Sequence, residues 1–109
     1  MIEDTITRIE TRLAQANLPE SQREELKSLL LRLKAELGEL GKTDFEQALS
    51  VAGFAEVTSN EAARKTTNPT LLEIALQGFE SSVEGLELSH PQLVKAVNSI
   101  CRFLSSSGV

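Results

Sequence analysis

Leu26, Leu30, Leu33, Leu37 and Leu40 follow one another at steps of four, three, four and three residues. An α-helix turns once in about 3.6 residues, so this rhythm lays all five leucines along one side of a helix. A strand, with a period of two, would scatter them over both faces. A stripe of leucine that continuous has to be buried against something, within the chain or outside it. The rhythm recurs in Ile2, Ile6, Ile9, Leu13 and Ala16, in Leu72, Leu76, Phe79, Val83 and Leu86, and in Leu93, Val97, Ile100 and Leu104. Four amphipathic helices are therefore expected. Only Val51 to Val57 carries any strand-like alternation, and weakly.

Punctuation residues divide the stripes. Asn17-Leu18-Pro19 interrupts the first, and Pro19 suits the first turn of a new helix, where a missing N–H costs nothing. Ser21 with Glu24 reads as a capping box, and Gly41 as the residue just past the helix end. So short a break makes the first two helices antiparallel neighbours, an N-terminal hairpin over residues 2–41. Residues 42–69 form a partly helical middle segment. In it Thr43 with Glu46 reads as a capping box, and Phe45, Leu49 and Ala52 predict a helix over about 44–56. The polar cluster Thr58, Ser59, Asn60, Thr66, Thr67, Asn68 and Pro69 reads as a linker, with one helical turn at Glu61–Lys65. The next helix starts with Asn68 capping and Pro69 at its first position, or with Thr70 and Glu73 as a box. Gly78 and Gly85 each cost it about 1 kcal/mol relative to Ala, or mark a close approach of helices. Ser89-His90-Pro91 ends it and opens the last helix, which Ser105-Ser106-Ser107-Gly108 stops, giving a C-terminal hairpin over residues 70–108.

With 109 residues the chain is expected to form one helical domain, 1–109. Its 40% apolar content is that of a folded chain, and with four Phe, no Trp and no Tyr the core must be aliphatic. A net charge of −5 and the scarcity of stacking aromatics argue against nucleic acid as a partner. No run of residues approaches the roughly 18 apolar positions of a membrane span. The segment from Met1 to Thr5 lacks the basic and apolar regions of a signal peptide, and the lone Cys101 leaves no internal disulfide. These features predict a cytoplasmic protein without a membrane partner.

Charges flank the stripes at seven-residue intervals: Glu73, Glu80 and Glu87, Lys95 and Arg102, Lys27 and Lys34. They read as solvated faces, with a register-setting role for opposed acidic and basic edges as the sharper alternative.

Candidate chemistry is sparse. His90 and Cys101 are each unique, but eleven residues of one helix separate them by about 16 Å, too far for a nucleophile and its base. One imidazole beside Glu84 and Glu87 is a thin set for a metal. No glycine-rich loop ends in Lys-Ser or Lys-Thr, and nothing places two carboxylates around a pocket. No catalytic, cofactor-binding or metal-ligating residue is therefore assigned, no cofactor is expected, and the chain is read as non-enzymatic.

The C-terminal third runs Glu84-Gly85-Leu86-Glu87-Leu88-Ser89-His90-Pro91, then Leu93, Val97, Asn98, Ile100, Leu104-Ser105 and Gly108-Val109. This resembles a bacterial family of small proteins known as domain of unknown function 4404. Members end in a Phe-Glu-x-Ser-His-Pro segment, an Ala/Leu-rich helix with an Asn, and Leu-Ser/Ala-x-x-Gly-Ile. The Pro-Glu turn and leucine-rich second helix of the N-terminal hairpin are also similar. Leu86 stands where Phe is common, Val109 where Ile is common, and the 42–69 segment is longer than the usual linker. The resemblance implies a small, cytoplasmic helical protein and supplies no activity.

The fold expected is all-α: two antiparallel helical hairpins packing as a bundle, within one chain or in a homodimer. The function expected is that of an interaction or assembly module, with Leu26, Leu30, Leu33 and Leu37 as candidate interface to a second copy or to an unknown protein. The alternative is a small-ligand or metal binder at the Ser89, His90, Pro91 turn.

Overall fold

Each apolar stripe lies mostly on a helix, and the helix expected over about 44–56 is a fifth among them. The computed structural model describes residues 1–106. Its elements are α1 (Ile2–Ala14), α2 (Glu20–Gly41), α3 (Phe45–Ala62), α4 (Pro69–Ser81) and α5 (Pro91–Ser106), with no strand among the described residues. The protein is an all-α bundle. The end of the 70–108 hairpin, the Ser107-Gly108 stop and the Gly108-Val109 terminus lie outside the described residues. No described helix is long and apolar enough to cross a membrane.

The stripes meet in one core. Ile6, Ile9 and Leu13 of α1, Leu26 to Leu40 of α2, Phe79 of α4, and Leu93, Val97, Ile100 and Leu104 of α5 are all buried together. Their lining on α3 is small: Ala48, Val51, Ala52, Ala55 and Ala62. Small residues let helices approach closely, and α3 alone packs against all four others. The bundle is thus organised around the middle segment. α4 packs chiefly on α3 and less on α5.

That helix corrects the expected linker. α3 runs six residues past the predicted end at 56, through Val57, Thr58, Ser59 and Asn60. Burial overrides propensity here. Thr58 Oγ1 lies 2.7 Å from the Phe54 carbonyl and 3.1 Å from the Ala75 carbonyl of α4. Its hydroxyl is satisfied inside the protein, so a poor helix former sits in a helix interior. Ser59 is buried beside it.

α4 corrects the sequence in the other direction. It ends at Ser81, before Val83 and Leu86 of the predicted stripe. The Ser82 hydroxyl donates to the Phe79 carbonyl at 2.6 Å, and Gly85 takes a left-handed φ of +88° that a side chain would strain. Val83 still reaches the core from the turn that follows.

Two predicted capping boxes are absent. α2 starts behind Pro19 with no side-chain cap, and α3 is capped by Asp44, whose carboxylate accepts from the Gln47 N–H at 3.1 Å. Thr43 instead donates back to the Leu40 carbonyl. At α4 the first of the two predicted starts is found. Asn68 Oδ1 accepts from the N–H groups of Thr70 and Leu71, and Pro69 follows at the first helical position.

The seven-residue charge edges are solvated. None of Glu73, Glu80, Glu87, Lys95 or Arg102 is within 4.0 Å of an opposite charge among the described residues. The ion pair that crosses between helices is a different one. Arg8 of α1 donates to Glu56 of α3 through Nε at 2.7 Å and through the guanidinium Nη2 at 3.2 Å. Those hydrogen bonds, before any Coulomb attraction, hold the Glu56 carboxyl below the ordinary carboxylate range and raise Arg8 above its own.

Candidate functional site

The candidate leucine interface is core. Leu26, Leu30, Leu33 and Leu37 are between 0 and 4% exposed, so the surface expected to await a partner is already covered by the chain's own helices. The physical reason is α3. The stripe needed a neighbour, and the middle segment supplies it together with α1 and α5. Leu31, a quarter-turn away, is the leucine that α2 leaves outside.

The Ser89-His90-Pro91 turn is a helix junction. The His90 N–H donates to the Leu86 carbonyl at 2.8 Å, and the Val94 N–H donates to the His90 carbonyl, opening α5. The half-buried imidazole lies with Nδ1 3.0 Å from Ser89 Oγ, its own neighbour in sequence. No group of three His, Cys, Asp or Glu side chains able to hold a metal ion is assembled among the described residues. Cys101 is buried in the core, and desolvation, with Glu80 adding to it, pushes its thiol up to about 12. A thiol so high is neutral at physiological pH and a poor nucleophile.

The structure does assemble a surface that the stripes conceal. Phe54 and Val57 of α3 and Leu71 and Ile74 of α4 are 41%, 51%, 43% and 59% exposed. Helical spacing puts each pair on one ridge, three residues apart. Two contacts lay the ridges side by side. Thr58 reaches the Ala75 carbonyl, and the Phe54 ring lies on Gly78, where a Cβ would come within 2.6 Å of it. Val57 precedes Thr58 and Ile74 precedes Ala75, so the two stand nearly opposite one another across the groove.

The face is also depleted of charge. Among residues 47–60 only Glu56 is charged, and Arg8 holds it on the α1 flank. Among residues 68–79 only Glu73 is charged, and it lies about 100° round α4 from Ile74. Charged residues make up 25% of the chain, so two such stretches side by side form a local exception. The apolar area is on the order of a few hundred Å², that of the largest patch on a typical monomer, which is often functional. The sequence held one signal for it. Leu71 and Ile74 stand off the Leu72, Leu76, Phe79 stripe, on a face that a half-buried helix would make polar.

No protein-family model, curated protein or solved structure matches the chain.

Proposed function

We propose that the protein is a non-enzymatic assembly module that pairs with a second copy of itself through the outer face of α3 and α4. The observation that carries this reading is the juxtaposition of Phe54, Val57, Leu71 and Ile74 on two ridges locked together at Gly78. The partner follows from charge. Each chain carries −5, so two copies repel unless few unpaired acidic groups meet, and on the Phe54–Val57 ridge the acidic neighbour, Glu61, is paired with Arg64 at 3.0 Å. A two-fold axis over the α3–α4 groove would set Val57 and Ile74 against their counterparts and turn two helix pairs into a four-helix layer.

The apolar centre alone is smaller than a stable dimer needs, roughly 800 Å² per partner. The exposed polar positions Ser50, Thr70 and Gln77 extend it, with Glu73 between the last two. An apolar centre with a polar rim is the anatomy of a protein interface. The resemblance to the bacterial family of small helical proteins, read over most of the chain and most specific at Ser89-His90-Pro91, adds no activity to this reading.

The test is sedimentation equilibrium over a wide concentration range, on the wild type and on Val57→Glu/Ile74→Glu. The wild type is expected to approach twice the chain mass and the variant to stay at one. Both positions are exposed in the single chain, so the variant should keep its helical content and its melting temperature within a few degrees.

A further inference from the structure

The hairpin of α1 and α2 is not fully closed. Between the C-terminal half of α1 and the N-terminal half of α2 runs a cleft of about 440 Å³. Its base is Leu13 and Leu18 with Leu26 and Leu30, core residues only 3–7% exposed, and its sides add Thr7, Thr11 and Ala14. On the α1 wall the hydroxyls of Thr7 and Thr11 donate to carbonyls four residues back, each at 2.9 Å. Those hydroxyl protons are therefore engaged by α1 itself, and the interior offers an occupant almost no donor.

The mouth is different. Arg23 and Lys27 stand one turn apart on the α2 wall, and neither has a carboxylate within 4.0 Å among the described residues. Arg23 leans across the opening, one terminal nitrogen 3.3 Å from the Ala14 carbonyl at the end of α1. A guanidinium has five N–H donors, so most remain for a ligand. Glu10, on the α1 wall, is the one carboxylate at the cleft. An acidic chain thus places two free cations at the edge of an aliphatic slot.

We infer that this cleft binds a single-chain aliphatic carboxylate, with the chain along the leucine floor and the head group between Arg23 and Lys27. The head accepts charge-assisted hydrogen bonds, bidentate from Arg23, and the tail fills the groove over the buried leucines, against the Thr7 and Thr11 methyls, Ala14 and the aliphatic stems of Arg23 and Lys27. The volume lies at the small end of ligand pockets, which suits one medium-length chain and excludes a two-chain lipid. The site lies on α1 and α2, so it is independent of the proposed pairing through α3 and α4.

The experiment is a titration of the methyl-labelled protein with decanoate below its micelle concentration, followed by NMR. Butyrate and decanol serve as controls for tail and head. Decanoate is expected to shift the Leu13, Leu18, Leu26 and Leu30 methyls saturably, and butyrate and decanol to bind at least tenfold more weakly. Arg23→Gln/Lys27→Gln, at exposed positions that leave the fold intact, should weaken decanoate about tenfold or more, and Glu10→Gln should tighten it. Unchanged affinity in the double variant, shifts centred on Phe54 and Ile74, or binding to anionic phosphatidylglycerol vesicles without saturable decanoate binding would each overturn the assignment.

Discussion

The ring of Phe54 lies on the backbone of Gly78, so close that a Cβ at that position would stand 2.6 Å from the ring Cε1. This contact is why α4 tolerates a glycine in its interior, where alanine is ordinarily better by about 1 kcal/mol. It is also what joins the ridges of α3 and α4 into one apolar face. A glycine that looks like a weakness in the sequence is the place where the proposed interaction surface is assembled.

The two residues should therefore be coupled. Gly78→Ala alone gains helix propensity but forces the ring away, and its net effect on stability is expected within about 1 kcal/mol of zero. Made in a Phe54→Ala background, the same change meets no ring and should stabilise by about 1 kcal/mol more than it does in the wild type. Urea denaturation of the four variants measures that difference. Equal effects in both backgrounds would mean the ring is elsewhere.

The leucine stripe should behave as core. Leu33 is wholly buried, so Leu33→Ala is expected to cost about 2–5 kcal/mol. Leu30→Glu/Leu33→Glu should lose its helical circular dichroism and cooperative unfolding altogether, since two buried carboxylates have no partner there. A double variant that stays folded and only changes its association would restore the stripe as an interface.

The ion pair between α1 and α3 predicts a pH dependence with a definite sign. Glu56 titrates below its unfolded value, so its contribution is complete above the ordinary carboxylate pKa of about 4.3 and disappears as the pH falls through the folded value. The stability difference between wild type and Glu56→Gln should be present at neutral pH, close in the acid range, and shrink with added salt, because Arg8 is more than half exposed. A difference that persists at low pH would assign it to packing.

Cys101 offers a probe of the core. With its thiol at about 12 and its side chain buried, an aromatic disulfide reagent at pH 8 is expected to react only at the rate of unfolding, and fully in denaturant. Rapid reaction of the folded protein would show that α5 opens there.

What was legible in the sequence, and what was not, divides along one physical line. α1, α2 and α5 each bury one face, and a one-sided helix writes its period into its apolar residues. α3 packs against four neighbours, with alanine on most of its buried positions and Thr58 and Ser59 among the rest. The spacing of Phe45, Leu49 and Ala52 marks its first part, and the polar residues from Thr58 onward imitate a linker. The end of α4 was misplaced because Val83 and Leu86 continue the spacing from a turn, where a serine hydroxyl and a left-handed glycine decide the backbone. The leucine stripe is a stripe but not an open face, because α5, α3 and α1 together cover it. The exposed face went unseen because Phe54, Val57, Leu71 and Ile74 come together only when two helices are laid side by side.

The most direct test of the pairing is an isotope-filtered NOE measurement on a sample mixed from methyl-labelled and unlabelled chains. Contacts between copies are expected among the Val57, Leu71 and Ile74 methyls and the Phe54 ring. Their absence at concentrations where the mass is dimeric, or contacts centred on Leu31 and Phe45, which line a second cleft with the exposed Met1, would contradict the assignment of α3 and α4 as the self-association surface.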